Sequence, residues 1–140
     1  MDGYELEIGK TFRFYQGELL VSFGLDSVSA KFSDGINIPR IAPARSIYRL
    51  VYTEDDLKVL LSYKDVDSQN EIGLDETITL GYKMLNMRIT KTFAIGDRDL
   101  SLSIFGTNLL DEVARNHTSF VKNEVPLAGK NYGLKFNLAF

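Results

Sequence analysis

Apolar and polar residues alternate along most of the chain, in about seven segments. In the last of them, Tyr132, Leu134, Phe136, Leu138 and Phe140 fall on one face, and small or polar residues lie between them. Because successive side chains of a strand point to opposite faces, a period of two predicts an amphipathic β-strand. Six similar segments precede it, over residues 4–14, 19–26, 48–52, 57–64, 85–93 and 100–105. No long stretch has the helical period, so the sequence predicts an all-β, antiparallel up-and-down meander of about seven strands.

The connections between these segments alternate in length. Short polar turns are expected at residues 15–17, 54–56 and 95–99, and long connections at residues 31–43, 66–76 and 110–130. Strict alternation brings all the long connections to one end of the sheet. Short turns at one end and long loops at the other are typical of outer-membrane barrels.

The last segment is also long enough to cross a bilayer as a strand. The eight steps from Tyr132 to Phe140, at roughly 3.3 Å each, span about 26 Å, close to the height of the apolar band of a transmembrane barrel. The pattern therefore favours a partial transmembrane β-barrel with its apolar face toward lipid. A soluble β-barrel that binds an apolar ligand inside has the same alternation and stays open as an alternative.

Composition narrows the function classes. The 140 residues form one domain, residues 1–140, and the 16 basic against 19 acidic residues leave no basic footprint for nucleic acid. Cysteine is absent, which excludes disulfides and thiol nucleophiles. No apolar stretch of about 20 residues predicts a transmembrane helix, and no N-terminal signal peptide is evident. Neither a catalytic triad nor a glycine-rich phosphate loop can be traced, so we expect no enzyme activity and no cofactor.

The C-terminal motifs resemble those of a known family. A strand runs into Asn108-Leu109-Leu110-Asp111, a long loop follows, and Pro126-Leu-Ala-Gly-Lys-Asn-Tyr132 opens the final strand, which ends on Phe140. This order resembles the C-terminal end of TonB-dependent outer-membrane receptors, with Lys130 where arginine is usual. Residues 3–7, 37–45 and 81–86 are similar to upstream segments of the same family.

The resemblance implies a cell outer-membrane location and a role in nutrient uptake. Receptors of this family have a barrel of about 22 strands around a plug and take up a siderophore, haem, a metal ion or cobalamin. This chain would supply roughly the last seven strands. Its implied partners are outer-membrane lipid, the rest of the barrel and plug, and the barrel-assembly machinery, with TonB acting only through the missing plug. The assembly signature would be Tyr132, Leu134, Phe136, Leu138 and Phe140.

The sequence leaves open whether such a piece acts alone. Seven strands are fewer than the eight of the smallest single-chain bacterial barrels, and an open sheet leaves unpaired edges. We therefore expect the chain to be a receptor fragment that transports nothing by itself. A small complete outer-membrane protein that assembles by pairing copies is a further alternative.

Two loop features are candidates for chemistry. His117 is the only histidine, and its imidazole could contact a metal or a metal chelate, although a lone histidine favours an ordinary exposed loop residue. The middle long loop is acidic and could collect cations, or be an ordinary solvated loop; its carboxylates are Asp65, Asp67, Glu71, Asp75 and Glu76.

Charged residues within the strands mostly avoid the apolar positions. Those that alternate with the apolar residues could line a lumen or meet a plug; they are Glu5, Glu7, Arg13, Arg49, Lys58, Lys64, Arg88 and Lys135. Lys10 and Lys91 fall on the apolar face instead. We expect these two lysines near the short-turn rim, where the ammonium can reach the headgroups.

Overall fold

The structure, a computed structural model, describes residues 1–139, in which seven strands form one antiparallel sheet in the order β1 to β7. Each strand pairs with its neighbours in sequence. The strands are β1 Asp2–Phe14, β2 Gly17–Ser29, β3 Arg45–Glu54, β4 Leu57–Val66, β5 Tyr82–Ile95, β6 Arg98–Thr107 and β7 Asn131–Ala139. The predicted all-β meander of seven strands is confirmed. Among these residues there is no helix, and therefore none that is long and apolar enough to span a membrane.

Three two-residue turns close one end of the sheet. Each begins with a residue at positive φ, namely Tyr15 at 55°, Asp55 at 36° and Gly96 at 61°. Positive φ at this position gives the turn a twist that matches the twist of the paired strands. The other three connections, residues 30–44, 67–81 and 108–130, are long and lie at the opposite end, as predicted.

The strand register places most of the apolar residues, from all seven strands, on the same side of the sheet; Leu20, Val51 and Leu60, which share a row on the other side, are exceptions. One row joins Ile8, Phe23, Tyr48, Tyr63 and Leu85 across five strands. The rings of Phe23 and Tyr48 lie 4.9 Å apart in this row. We call this side the apolar face and the opposite side, which carries most of the charged strand residues, the polar face.

Neither face of the sheet is covered by a second layer. Among residues 1–139, the fully buried residues lie in the long connections or at the adjoining ends of β4 and β6; they are Ala30, Val66, Gln69, Gly73, Thr79, Gly106, Asn108, Ala114, His117 and Lys122. On the apolar face, by contrast, Leu134 is 63% and Phe136 67% exposed. The packed core therefore sits at the loop end of the molecule.

The middle connection is longer than the sequence predicts and ends at residue 81 rather than 76. Within it, Gln69 and Thr79 pair as an isolated bridge. The sheet is open, and β1 and β7 lie at its two edges. The barrel therefore remains a prediction.

Candidate functional site: a buried charge network joins the long loops

The three long connections pack against one another, and we call this assembly the loop cluster (residues 30–44, 67–81 and 108–130). Several side-chain hydrogen bonds join one connection to another. Gln69 donates a hydrogen bond from Nε2 to the carbonyl of Ile41 (3.1 Å), and Asn37 donates to the carbonyl of Ile72 (3.4 Å). Gly73 lies directly against Pro39, where a Cβ would come within 2.8 Å of the proline nitrogen. The cluster thus has its own close packing, separate from the sheet.

The carboxylate of Glu76 is the meeting point of all three connections. Its Oε1 accepts a hydrogen bond from the Arg40 backbone N–H (3.0 Å), and its Oε2 accepts one from Gly73 (3.0 Å). The third connection contributes Lys122, whose Nζ lies 3.5 Å from Oε1, and His117, whose Nε2 lies 3.0 Å from the same oxygen. Only 7% of the Glu76 side chain is exposed. A buried carboxylate needs partners of this kind, because desolvation without them is costly.

Lys122 is buried as well and points inward from the third connection. Its Nζ donates to the carbonyl of Thr77 at 2.6 Å and approaches Nδ1 of His117 at 3.2 Å. Arg115 donates to the carbonyls of Lys122 and Asn123 and so fixes the backbone that carries this lysine. The ammonium therefore has oxygen and nitrogen acceptors on several sides.

These contacts determine the charge state of His117. An ammonium group can only donate, so Nδ1 of His117 accepts from Lys122 and carries no proton. Thr79 Oγ1, 2.8 Å from the same nitrogen, adds a second polar neighbour. The proton then sits on Nε2, which is close to Glu76 but out of line for a good hydrogen bond. The ring is neutral in this arrangement.

Burial and neighbouring charge shift the pKa values of both acidic and basic groups here. For His117, burial and then the Lys122 ammonium lower the pKa, and the nearby Glu76 carboxylate, which acts in the opposite direction, does not compensate. For Glu76, burial alone raises the pKa, but the N–H groups of Gly73 and Arg40 together with His117 and Lys122 outweigh it and hold the pKa below its ordinary value. The network therefore contains an ionised carboxylate and a neutral imidazole.

Asn108 closes the third connection at its base. Its backbone is in the left-handed region at φ 48°, and its side chain is almost fully buried. The amide Nδ2 donates to the carbonyls of Glu112 (2.9 Å) and Ala128 (3.1 Å), while Oδ1 accepts from the Glu112 N–H. The side chain of Asn108 thus bonds to Ala128, which lies 20 positions farther along the chain. This gives the first residue of the Asn-Leu-Leu-Asp motif a structural role.

The surface of the loop cluster carries a shallow cavity of about 240 Å³. Arg40 stacks its guanidinium over the Phe120 ring at 3.3 Å from the ring centre, and both residues line the cavity with Asp75 and Asn123. Charged, amide and aromatic groups of this kind suit binding.

The structure corrects the prediction for His117. The sequence favoured an exposed loop residue, whereas the side chain is 1% exposed and lies inside the loop cluster. Its two ring nitrogens face Lys122 and Glu76 rather than open space. Within residues 1–139 no group of three histidine, aspartate or glutamate side chains is placed to hold a metal ion. The reason for the burial is the packing of three distant segments, which a local motif does not reveal.

The acidic residues of the middle loop are not brought together. Asp65 lies on β4, 4.0 Å from Lys83, while Glu76 is turned into the loop cluster. By contrast, the apolar residues of the final strand occupy one exposed face, as expected for Tyr132, Leu134, Phe136 and Leu138. Phe140, the last residue of the proposed signature, lies outside the described residues.

Sequence reasoning missed the partners of His117. Lys122 and Thr79 lie in segments without periodicity, and a loop lysine is ordinarily exposed, so nothing local marked it.

Lys91 lies near the short-turn rim as predicted, where its Nζ pairs with Asp56 at 2.5 Å. The same prediction is wrong for Lys10, which lies two rows farther from the turns, in the row of Leu50 and Leu61, with its Nζ 5.3 Å from the centre of the Phe12 ring.

Comparisons with known proteins add no family assignment. No protein-family model matches the chain, and no curated protein matches it significantly. The likeness to TonB-dependent receptors therefore rests on the sequence motifs alone.

Proposed function

We propose that this chain is part of the barrel wall of a TonB-dependent outer-membrane receptor, with its apolar face against lipid and its polar face toward a lumen. The observation that carries the proposal is the continuous apolar face shared by all seven strands, which no second layer covers and whose side chains are exposed or half-buried. Soluble proteins rarely expose apolar surface on this scale. A bilayer is the environment in which such a face is stable.

The arrangement of the connections supports the same assignment. Two-residue turns close one end, and the long connections form an ordered cluster at the other. Outer-membrane proteins place short turns on the periplasmic side and longer loops outside. On this proposal, the loop cluster faces the exterior and is where a nutrient is met first.

The remaining assignments follow the family resemblance. The rest of the barrel and the plug would complete the wall, the barrel-assembly machinery would insert it, and TonB would act through the plug. The cargo would be a siderophore, haem, a metal ion or cobalamin, taken up without chemical conversion. The gene sequence upstream of Met1 tests this part: a continuing frame that encodes a plug is expected.

The soluble alternative needs the apolar residues to enclose a ligand. Two cavities on the sheet are instead lined chiefly by polar-face residues, with Glu7 and Arg49 in one and Lys58 and Arg88 in the other. This distribution favours lipid contact over an internal apolar site.

Single-cysteine labelling tests the lipid face directly, because the chain has no cysteine of its own. Leu134→Cys on the apolar face and Lys135→Cys on the polar face would each carry an environment-sensitive dye in lipid vesicles. We expect brominated lipid to quench the dye at position 134 strongly and at its neighbour, position 135, weakly. Equal quenching, or a dye at 134 that is shielded from water without lipid, would contradict the proposal.

A further inference from the structure

The charges of the polar face are segregated by strand. On β1 and β2 the polar face carries four carboxylates, those of Glu5, Glu7, Glu18 and Asp26, and one cation, Arg13. On β3, β4 and β5 it carries five cations and no carboxylate. This basic region belongs to a chain whose net charge is −3, so it does not follow from composition.

The register spaces these five cations evenly. Each of the five successive rows across β3, β4 and β5 contains one cation, and we call the series the cationic ladder. From the loop end to the turn end, its members are Arg45, Lys64, Arg49, Arg88 and Lys58. Rows on one face are two residues apart, so the ladder is about 27 Å long. Along the strands its steps are about 7 Å. Because neighbouring strands lie about 4.8 Å apart, successive members are about 8 Å apart on adjacent strands and about 12 Å apart where β4 separates Arg49 from Arg88.

Most of the ladder lacks a negative partner within residues 1–139. Arg45 is paired with Asp26 at 2.7 Å, but no carboxylate lies within ion-pair distance of the other four members. Lys64 and Arg88 lie over the rings of Tyr82 and Phe105. A row of positive charges raises the local concentration of anions.

The loop end of the ladder opens into a cavity of about 70 Å³ beneath the loop cluster. Arg45, Lys64 and Arg115 line it, and no carboxylate is among its lining residues. This volume corresponds to about two water molecules. It suits one carboxylate or phosphate group and is too small for a peptide segment.

We propose that the cationic ladder is a binding track for a small ligand that carries several carboxylate or phosphate groups, with the Arg45–Lys64–Arg115 cavity as its first site. The spacing allows such a ligand to contact two neighbouring members at once and to move from one pair to the next. That this ligand is also the transported nutrient rests on the function proposed above. Anion binding itself does not.

Citrate, a tricarboxylate, is the probe. The full chain in a zwitterionic detergent at low salt is titrated with citrate by calorimetry, as are the variants Lys64→Gln, Arg49→Gln and Arg13→Gln. Arg13 is the matched control, because it is a polar-face cation outside the ladder, opposite Glu18. We expect each ladder variant to weaken citrate binding about fivefold and Arg13→Gln to leave it within about twofold.

Lys64→Arg keeps the charge and is expected to bind citrate like the parent chain, which separates lost charge from lost folding. Equal weakening by all three glutamine variants would mean general counter-ion attraction and would overturn the proposal, as would no measurable citrate binding. The lipid-face labelling has a separate readout. Insertion into vesicles without citrate binding would refute the ladder and leave the proposed function standing. Citrate binding without insertion would support the ladder and contradict the proposed function.

Discussion

In the sheet, leucine, phenylalanine and tyrosine side chains stay exposed, whereas in the loop cluster a glutamate, a lysine and a histidine are buried. The sheet is held together chiefly by backbone hydrogen bonds between neighbouring strands. The loop cluster is held together by side chains that join segments far apart in sequence, such as Glu76 and Lys122, 46 residues apart. Each region therefore depends on a different kind of interaction.

This difference shows where the chain needs its surroundings. The loop cluster satisfies its buried charges internally, so its order is a property of the chain. The apolar face of the sheet has no partner among residues 1–139, and its stability depends on what it contacts. Substitutions in the two regions should therefore respond differently to lipid, and the following predictions test that difference.

The largest effect is expected from Glu76→Ala. It leaves the buried Lys122 ammonium without its carboxylate, and breaking a buried pair in this way costs about 3–5 kcal/mol. Faster hydrogen exchange is expected at the Thr79 and Leu127 amides, which pair within the loop cluster, and not in β3. Glu71→Ala, which removes an exposed carboxylate from the same connection, is the control. Equal exchange in the two variants would show that the network does not hold the loops.

Leu61→Arg tests whether the apolar face of the sheet contacts lipid. Leu61 lies at the middle of the apolar face, opposite Leu50 and Met87. In a bilayer a charge at that depth lowers the free energy of unfolding by about 2–4 kcal/mol. Denaturant titration of the protein in lipid vesicles measures this loss. Ser62→Arg places the same charge on the polar face and should have a much smaller effect. Similar losses for both variants would remove the distinction between the faces.

Gly73→Ala tests the close packing between the first and middle connections. A Cβ at this position would lie 2.8 Å from the nitrogen and 2.9 Å from the Cβ of Pro39. Overpacking of this kind costs about 1–3 kcal/mol, visible as faster exchange of the loop amides. Gly129→Ala, where a Cβ would meet no atom within 4 Å, should leave exchange unchanged.

The difference between the sheet and the loop cluster also explains which features could be predicted from the sequence. Strands were identified because alternation is local, and each of the seven predicted segments lies within an observed strand apart from Phe140, which is outside the described residues. The common apolar face followed from the same pattern. β5 begins at Tyr82 rather than near Leu85, because the residues that extend it are not strictly alternating.

The loop cluster could not be predicted from the sequence, because its contacts are neither local nor periodic. The acidic residues of the middle loop looked alike, yet only Glu76 meets backbone N–H groups from two connections. The cationic ladder was hidden for a related reason. Four of its members were predicted as polar-face residues and Arg45 was not, and only the register shows that β3, β4 and β5 each contribute to a single series.

The smallest effect expected is the response of the loop cluster to mild acid, which depends on His117. Its pKa in the folded chain is below the ordinary 6.5, so the unfolded chain binds the proton more readily. The contribution of the neutral ring to stability is therefore complete above about pH 6.5 and is lost as the pH falls from there toward the folded-state pKa. Glu76 responds only lower, because its own pKa is held below 4.5.

Hydrogen exchange of the Thr79 amide between pH 7.5 and 5, corrected for the intrinsic rate, measures this response. We expect protection to fall with pH in the parent chain and to stay nearly level in His117→Gln, whose side chain does not titrate. The amides of β3 should show no such dependence in either protein. If protection of the Thr79 amide in the parent chain did not change with pH, Lys122 and Glu76 would hold the loops whatever the charge on the His117 ring. His117 would then contribute by packing alone.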